Sequence, residues 1–329
     1  MDRRSLLVAS LAMVAIPRRT GAQTPGKIYR IGFLGITDPS SWASQIGALR
    51  QGLRELGYEE GKNIVIEFRW ANADYASLPK LAAELVSLNV DVLVTHGTPG
   101  SRAAKEVTSA IPIVIAAAGD PVQSGLVASL ARPGGNITGN SIVEFDLTSK
   151  RFELLKEFAP GASHVGLLFG PGTQTEAGAQ AAQRRINESA SSLGIRVSRF
   201  AIQESSDVAR AFAAMKREQI DALVVSLDAL LVSNYAEIAR LAIQYRIPTC
   251  GGARQFIAAG GLFSYGVDVD SAYRHAAVYI DKIVKGAKPA DLPIEQPTKV
   301  EFLINQKTAR AMGVTIPQSL LFRADDVIN

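Results

Sequence analysis

The chain has 329 residues and a mass of 35.0 kDa, too long for one ordinary globular core and suited to two lobes of roughly 150 residues each. Hydrophobic residues make up 47% and charged residues 20%, which excludes a disordered chain. The net charge is +4, and Arg3, Arg4, Arg18 and Arg19 supply most of it; beyond Ala22 there are 31 basic and 30 acidic residues, which leaves no electrostatic footprint for nucleic acid or an anionic membrane.

Met1 to Ala22 reads as an export signal. Arg3 and Arg4 make a positive start, Leu6 to Ile16 is an apolar run, and Thr20-Gly21-Ala22 places small residues where a signal peptidase cuts. The run is too short to span a bilayer. The bland alternatives are a membrane anchor or a disordered start. Asp2-Arg3-Arg4-Ser5-Leu6-Leu7 resembles a twin-arginine signal but lacks the later Lys, so the Sec and twin-arginine routes both stay open. The expectation is a periplasmic chain starting near Gln23. The single cysteine, Cys250, excludes an internal disulfide framework, a Cys-based zinc site and a lipoprotein anchor after the cut.

From there strands and helices alternate. Arg30 to Gly35 is a short apolar strand. Ile46, Leu49, Leu53 and Leu56 predict a helix stopped at Gly57. Asn63 to Trp70 alternates as a strand, and Leu78, Leu81, Leu85 and Leu88 mark a second helix. Val90 to Thr95 is a buried strand, Ser101 to Ser109 a helix, and Ile111 to Ala117 another strand. Asp120-Pro121 is expected to open a short helix through Ala131. His164 to Phe169, Arg196 to Ile202, Ile220 to Ser226 and Ile247 to Gly251 are strands of a second set. The helices between them carry Ala182, Ile186, Ala190 and Leu193, then Val208, Ala211, Phe212 and Met215, then Leu231, Tyr235, Ile238, Leu241 and Tyr245.

The two halves align by residue type. Ile31-Gly32-Phe33-Leu34 matches Val165-Gly166-Leu167-Leu168, and Val90-Asp91-Val92-Leu93-Val94 matches Ile220-Asp221-Ala222-Leu223-Val224. Leu56-Gly57-Tyr58 matches Leu193-Gly194-Ile195, and Ile111-Pro112 matches Ile247-Pro248; the four offsets are 134, 130, 137 and 136. Matched strand order at that spacing means two similar α/β lobes, each a doubly wound parallel sheet. Ligands of such sheets bind beyond the carboxyl ends of the strands, so two lobes share one cleft.

The export signal, Val94-Thr95-His96-Gly97-Thr98-Pro99, Gly119-Asp120-Pro121-Val122-Gln123-Ser124-Gly125-Leu126-Val127, Arg132-Pro133-Gly134-Gly135-Asn136-Ile137-Thr138-Gly139, Ser264-Tyr265-Gly266-Val267-Asp268 and Ile304-Asn305-Gln306-Lys307-Thr308-Ala309 together resemble the periplasmic substrate-binding proteins of ABC uptake systems. The most similar group includes aromatic amino-acid binders. The resemblance implies a type I periplasmic binding protein fold whose chain crosses between lobes three times, through a three-segment hinge near Ser141–Phe145, Leu262–Gly266 and Pro293–Val300. Residues 27–142 with 266–292 would form the N-terminal lobe and 143–265 with 293–304 the C-terminal lobe, with the helix Ala272 to Lys285 returning to the first lobe. The tail 305–329 has no assigned lobe.

Candidate ligand contacts lie on the loops after the strands: Thr37, Ser41, Trp42, Thr98, Ser101 and Asp120 in the first lobe, Thr173 and Asp228 in the second, and Tyr265 at a hinge. Each has an ordinary structural reading beside the functional one. Asp120, Thr98 and Ser101 could cap helices, and Trp42 could be a core residue rather than a stacking wall. Asp228 follows a buried strand and could hold an ammonium or merely cap the next helix. Its expected counterpart across the cleft is the loop Thr95 to Ser101. His96, His164 and His275 have no metal-ligand spacing, there is no P-loop, and Gly170-x-Gly172 is a weak dinucleotide signal. No metal or cofactor is expected. The leading reading is a monomeric binding protein that delivers a small organic solute, amino-acid-like by preference, to an ABC permease. A sensor lobe feeding a membrane receptor and an exported α/β enzyme remain as alternatives. A repressor is excluded, because no DNA-binding helix pair precedes the first strand.

Overall fold

β-branched and aliphatic runs form the strands, and apolar residues at three- and four-residue spacing form the helices that cover them. The structure, a computed structural model, describes residues 27–142, 144–171, 176–297 and 299–329. The expected signal at 1–22 and the candidate contact Thr173 lie outside the described residues.

In the first lobe β1 (Tyr29–Gly35), α1 (Ala43–Glu55), β2 (Ile64–Trp70), α2 (Leu78–Ser87), β3 (Val92–Thr95), α3 (Gly97–Val107), β4 (Ile113–Ala118) and β5 (Ile137–Ser141) follow in order. Their sheet is wholly parallel with strand order β2-β1-β3-β4-β5. In the second lobe come α4 (Glu144–Phe158), β6 (His164–Phe169), α5 (Glu176–Ser192), β7 (Arg196–Ala201), α6 (Asp207–Arg217), β8 (Ala222–Val225), α7 (Ala229–Ser233), α8 (Tyr235–Tyr245), β9 (Thr249–Gly251), α9 (Arg254–Ala258) and β10 (Phe263–Val267). Then α10 (Val269–Val284) returns to pack on α1, β3, β4 and β5. The chain ends in β11 (Val300–Asn305), α11 (Gln306–Met312), α12 (Gln318–Arg323) and β12 (Asp326–Ile328). The second sheet has the order β12-β11-β10-β9-β8-β6-β7.

Three crossings join the lobes. The first separates β5 from α4, which packs against β8, β9 and β10. The second falls at Asp268, between β10 and α10. Before the third, the chain runs beside β5: Ser141 N–H donates to the Glu295 carbonyl (2.8 Å) and Glu295 N–H to the Gly139 carbonyl (3.0 Å). Beyond it the chain enters the second sheet as β11.

Three features differ from the sequence expectation, and one that it left open is filled in. Residues 121–131 form turns instead of a helix. Asp120 Oδ1 accepts from the N–H groups of Val122 (2.9 Å) and Gln123 (3.0 Å), and Gly125 at φ 71° reverses the chain before a second helical turn can form. The helix expected through Leu231 to Tyr245 is broken at Asn234, whose side-chain amide donates to the Leu230 carbonyl (2.7 Å) and competes with the backbone ladder. The second sheet is mixed, because β11 pairs antiparallel with β10. The tail belongs to that sheet, since β12 pairs with β11.

Candidate functional site

The carboxyl ends of β1, β3 and β4 face those of β6, β8 and β9, and the residues brought there differ sharply between lobes. In the first lobe the polar groups are used internally. Thr37 is buried and its Oγ1 accepts from Trp42 Nε1 (2.9 Å). Trp42 is buried too: its ring meets His96 (4.1 Å between centroids) and stacks on Tyr273 (5.9 Å). Ser41 donates through Oγ and N–H to Asp38 (2.7 and 3.0 Å). Burial alone would raise the Asp38 carboxyl, but hydrogen bonds from Ser40 and Ser41 prevail and take its pKa down to about 2. Ser101 is fully buried and donates to the Gly97 carbonyl (2.8 Å). Thr98 is half-buried beside Gly119. Asp120 is exposed and holds its own turn.

His96 lies under this face. Its Nε2 accepts from the Ile36 N–H (3.2 Å), so Nδ1 carries the proton of the neutral ring, and burial pushes its pKa down to about 3.

The second lobe presents Asp228. It caps α7 through Oδ1, which accepts from the Leu230 N–H (2.9 Å). Its carboxylate also fills the space where a side chain at Gly170 would stand. Burial is the main influence on it and raises its pKa to about 6, against the lowering pull of the Leu230 and Leu231 N–H groups. No charged group among the described residues acts on it.

Two residues that no motif marked complete the junction. Tyr75 sits on the single 3-10 turn Tyr75–Ser77, capped by the Asp74 side chain (3.1 Å to the Ala76 N–H). The chain is turned there by two left-handed residues, Asn72 (φ 49°) and Ala73 (φ 67°). Tyr75 thus reaches across the cleft and packs against the second lobe's core. Burial, then the Asp228 charge, raises its phenol, the Leu230 N–H pulls it back down, and within 3.5 Å the buried hydroxyl has no hydrogen-bond partner. It is Tyr75, on the turn after β2, that faces Asp228 from the first lobe. Arg151 of α4 is fully buried at the hinge, donating from Nε to the Tyr265 carbonyl (2.7 Å). A β-carbon on Gly252 would lie 2.9 Å from its Nη2. Tyr265, half-buried, packs against the cores of both lobes.

The lobes touch at this junction. Ala229 and Ala253 of the second lobe pack into the first lobe's core, and Gln255 Nε2 donates to Asp270 Oδ1 (3.4 Å). The hollow of about 500 Å³ bounded by Ser163, Asn187, Gly194 and Arg196 lies at the amino ends of β6 and β7, away from the cleft. Among the described residues no group of His, Cys, Asp and Glu could hold a metal, and no helix is long and apolar enough to cross a membrane.

Two α/β lobes, three crossings and a cleft floored by helix and strand ends define a bilobal solute-binding protein of the type I periplasmic kind. Residues 31–328 match the model of the ABC transporter substrate binding protein family, and the chain belongs to that family, whose members bind small molecules and work with ABC transporters. A tyrosine-binding protein of Clostridioides difficile (strain R20291) is 29% identical over 264 residues, covering 80% of this chain and 75% of its own. A Streptococcus pneumoniae ABC domain solved with L-Trp is 27% identical with a TM-score of 0.83, covering 92% of this chain and all of its own. The ligand-free, open structure of CD0873, a substrate-binding protein with adhesive properties from Clostridium difficile, is 26% identical over 92% of this chain and 99% of its own, with a lower TM-score of 0.64.

Proposed function

We propose that the protein captures an α-amino acid with an aromatic side chain between its lobes and passes it to an ABC permease, after export to the periplasm by the signal at residues 1–22. It works as a monomer and performs no chemistry on the solute. The lobes that move divide at the crossings: residues 27–142 with 269–295, and 144–267 with 300–329.

The observation that carries this reading is the Asp228 carboxylate, buried at the junction with no cation beside it. A buried carboxylate without a countercharge is costly, and a ligand ammonium reduces that cost. The N-terminus of α3, beside the half-buried Thr98, offers N–H groups for a ligand carboxylate. The relatives named above, one a tyrosine binder and one solved with L-Trp, support an aromatic side chain. Thermal unfolding with L-tyrosine or L-tryptophan, against 3-(4-hydroxyphenyl)propionate or indole-3-propionate, tests this. A ligand that binds only the folded state raises Tm, by mass action, and only the amino acids should do so. An equal response to the desamino acids, or none to any of the four, rejects the reading.

A further inference from the structure

Two contacts between the lobes lie differently with respect to the crossings. The bond from Gln255 to Asp270 ties α9 to the first turn of α10, just beyond the second crossing at Asp268, so it sits at the hinge. The other contact lies on the far side of the cleft. β2 and β5 are opposite edges of the first sheet, and β5 leads into the first crossing. The turn after β2 is therefore separated from that crossing by the full width of the sheet. Two of its residues, Ala73 and Tyr75, pack against the second lobe's core. The element opposite is α7: its Leu230 N–H acts on the Tyr75 phenol, and its Ala229 is buried within the first lobe's core.

The turn is held in one shape. Ala71 N–H donates to the Gly35 carbonyl and Ala73 N–H to the Ile36 carbonyl (both 2.9 Å), which pins it to the end of β1. Asp74 N–H closes back on the Ala71 carbonyl (2.9 Å), and the Ser77 hydroxyl donates to the Asp74 carbonyl (2.7 Å). Asn72 and Ala73 are both left-handed, at φ 49° and 67°. Asparagine takes that conformation readily and alanine does not, so the backbone is strained at a residue that touches the other lobe. Strain of this kind persists only where the surrounding structure enforces it, and it gathers at clamps and switches.

We propose that residues 72–77 are a clasp: the turn spans the cleft on the side away from the crossings, seats Ala73 and Tyr75 on the second lobe beside α7, and holds the lobes shut without solute, so that solute enters only while the clasp is off. Every atom of the contact belongs to the chain, and the contact is apolar. The Tyr75 hydroxyl is buried with no partner within 3.5 Å, so it opposes closure rather than favouring it. The ring and the Ala73 methyl group do the holding, because closure takes them out of water. Rotation about the crossings parts this contact before it strains the Gln255 bond at the hinge.

Small-angle scattering of the purified protein, freed of bound solute by unfolding and refolding, reads the clasp, and circular dichroism shows that each variant is folded. Tyr75→Ala removes the ring and should lower the closed-to-open ratio about tenfold or more, seen as a radius of gyration larger than that of the wild type. Tyr75→Phe keeps the ring, discards the unpaired hydroxyl, and should be at least as compact as the wild type. Ala73→Asp suits the left-handed backbone better than alanine, so the turn keeps its shape, but it sets a charge on the contact and should open the lobes as well. An unchanged radius in Tyr75→Ala or in Ala73→Asp overturns the clasp. So does a Tyr75→Phe protein as open as Tyr75→Ala, which would make the hydroxyl, not the ring, the group that holds. No amino acid is added, so this result stands whichever way the tyrosine and tryptophan experiment falls.

Discussion

His96 in the first lobe and Asp228 in the second are both buried titratable groups, and burial drives both toward neutrality. They differ in what surrounds them. His96 is finished: its Nε2 accepts the Ile36 N–H, Phe33 stacks on it and Trp42 lies tilted against it. Asp228 has donors on one side only and an unsatisfied phenol on the other. The His96 cluster is therefore a closed frame, and Asp228 carries an electrostatic demand that something from outside must meet. In a binding protein, that asymmetry says which surface is scaffold and which is receptor.

The comparison breaks most visibly at Asp228. Replacing it with Asn keeps the α7 cap and removes the charge, so stability should hold while affinity for L-tyrosine or L-tryptophan falls by about 2–5 kcal/mol, some 30-fold or more. Calorimetry with either amino acid checks this, and an affinity within threefold of wild type removes the anchor role.

His96 should show the opposite pattern, an effect on folding with none on ligand. Its folded pKa of about 3 lies below the ordinary 6.5, so the unfolded chain binds more protons and stability is lost as pH falls from 6.5 toward 3. At pH 4.5 that loss is about 3 kcal/mol. Urea unfolding of the wild type and His96→Gln across this range isolates the contribution.

Gly170→Ala probes the same contrast through packing. The new methyl would overlap the Asp228 carboxylate, which must shift. The expected cost is about 1–3 kcal/mol, visible in both thermal stability and affinity. Gly161→Ala, where a β-carbon meets nothing within 4 Å, is the control and should be nearly neutral.

The smallest effect belongs to Trp42→Phe. It deletes the Nε1 bond to Thr37 and should cost about 1 kcal/mol of stability, with affinity unchanged. Ligand binding that weakens tenfold would instead place Trp42 at the ligand and move the receptor surface into the first lobe.

Much of the architecture is legible in the sequence because it rests on local pattern. The repeat of Ile31–Leu34 in Val165–Leu168 marks equivalent strands, since β1 and β6 are each flanked by two parallel neighbours and must be apolar on both faces. Asp228 is legible as a candidate for the same reason: it follows an apolar strand and precedes a helix. Tyr75 is not, because its aim depends on Asn72 and Ala73 adopting left-handed backbone, which Ala rarely does. Arg151 is equally hidden. It follows Lys150, which pairs with Glu153 at the surface, and only the three-dimensional packing of α4 on β10 sends one of the two inward. The stretch at 121–131 shows the converse, a helix start suggested by Asp120-Pro121 and undone by the Asp120 turn and Gly125.

The short strand β12 has a consequence for handling the protein. It is three residues long, carries Asp326, and covers the outer edge of β11, whose Phe302, Leu303 and Ile304 are buried. The Asp325 side chain adds a bond to the Phe302 N–H (2.7 Å). Trimming the chain after Arg323 would bare the edge of β11 from Phe302 to Asn305 with free N–H and C=O groups, a template for chain-to-chain pairing. Light scattering of such a truncation should show concentration-dependent aggregates at temperatures where the full chain stays dispersed.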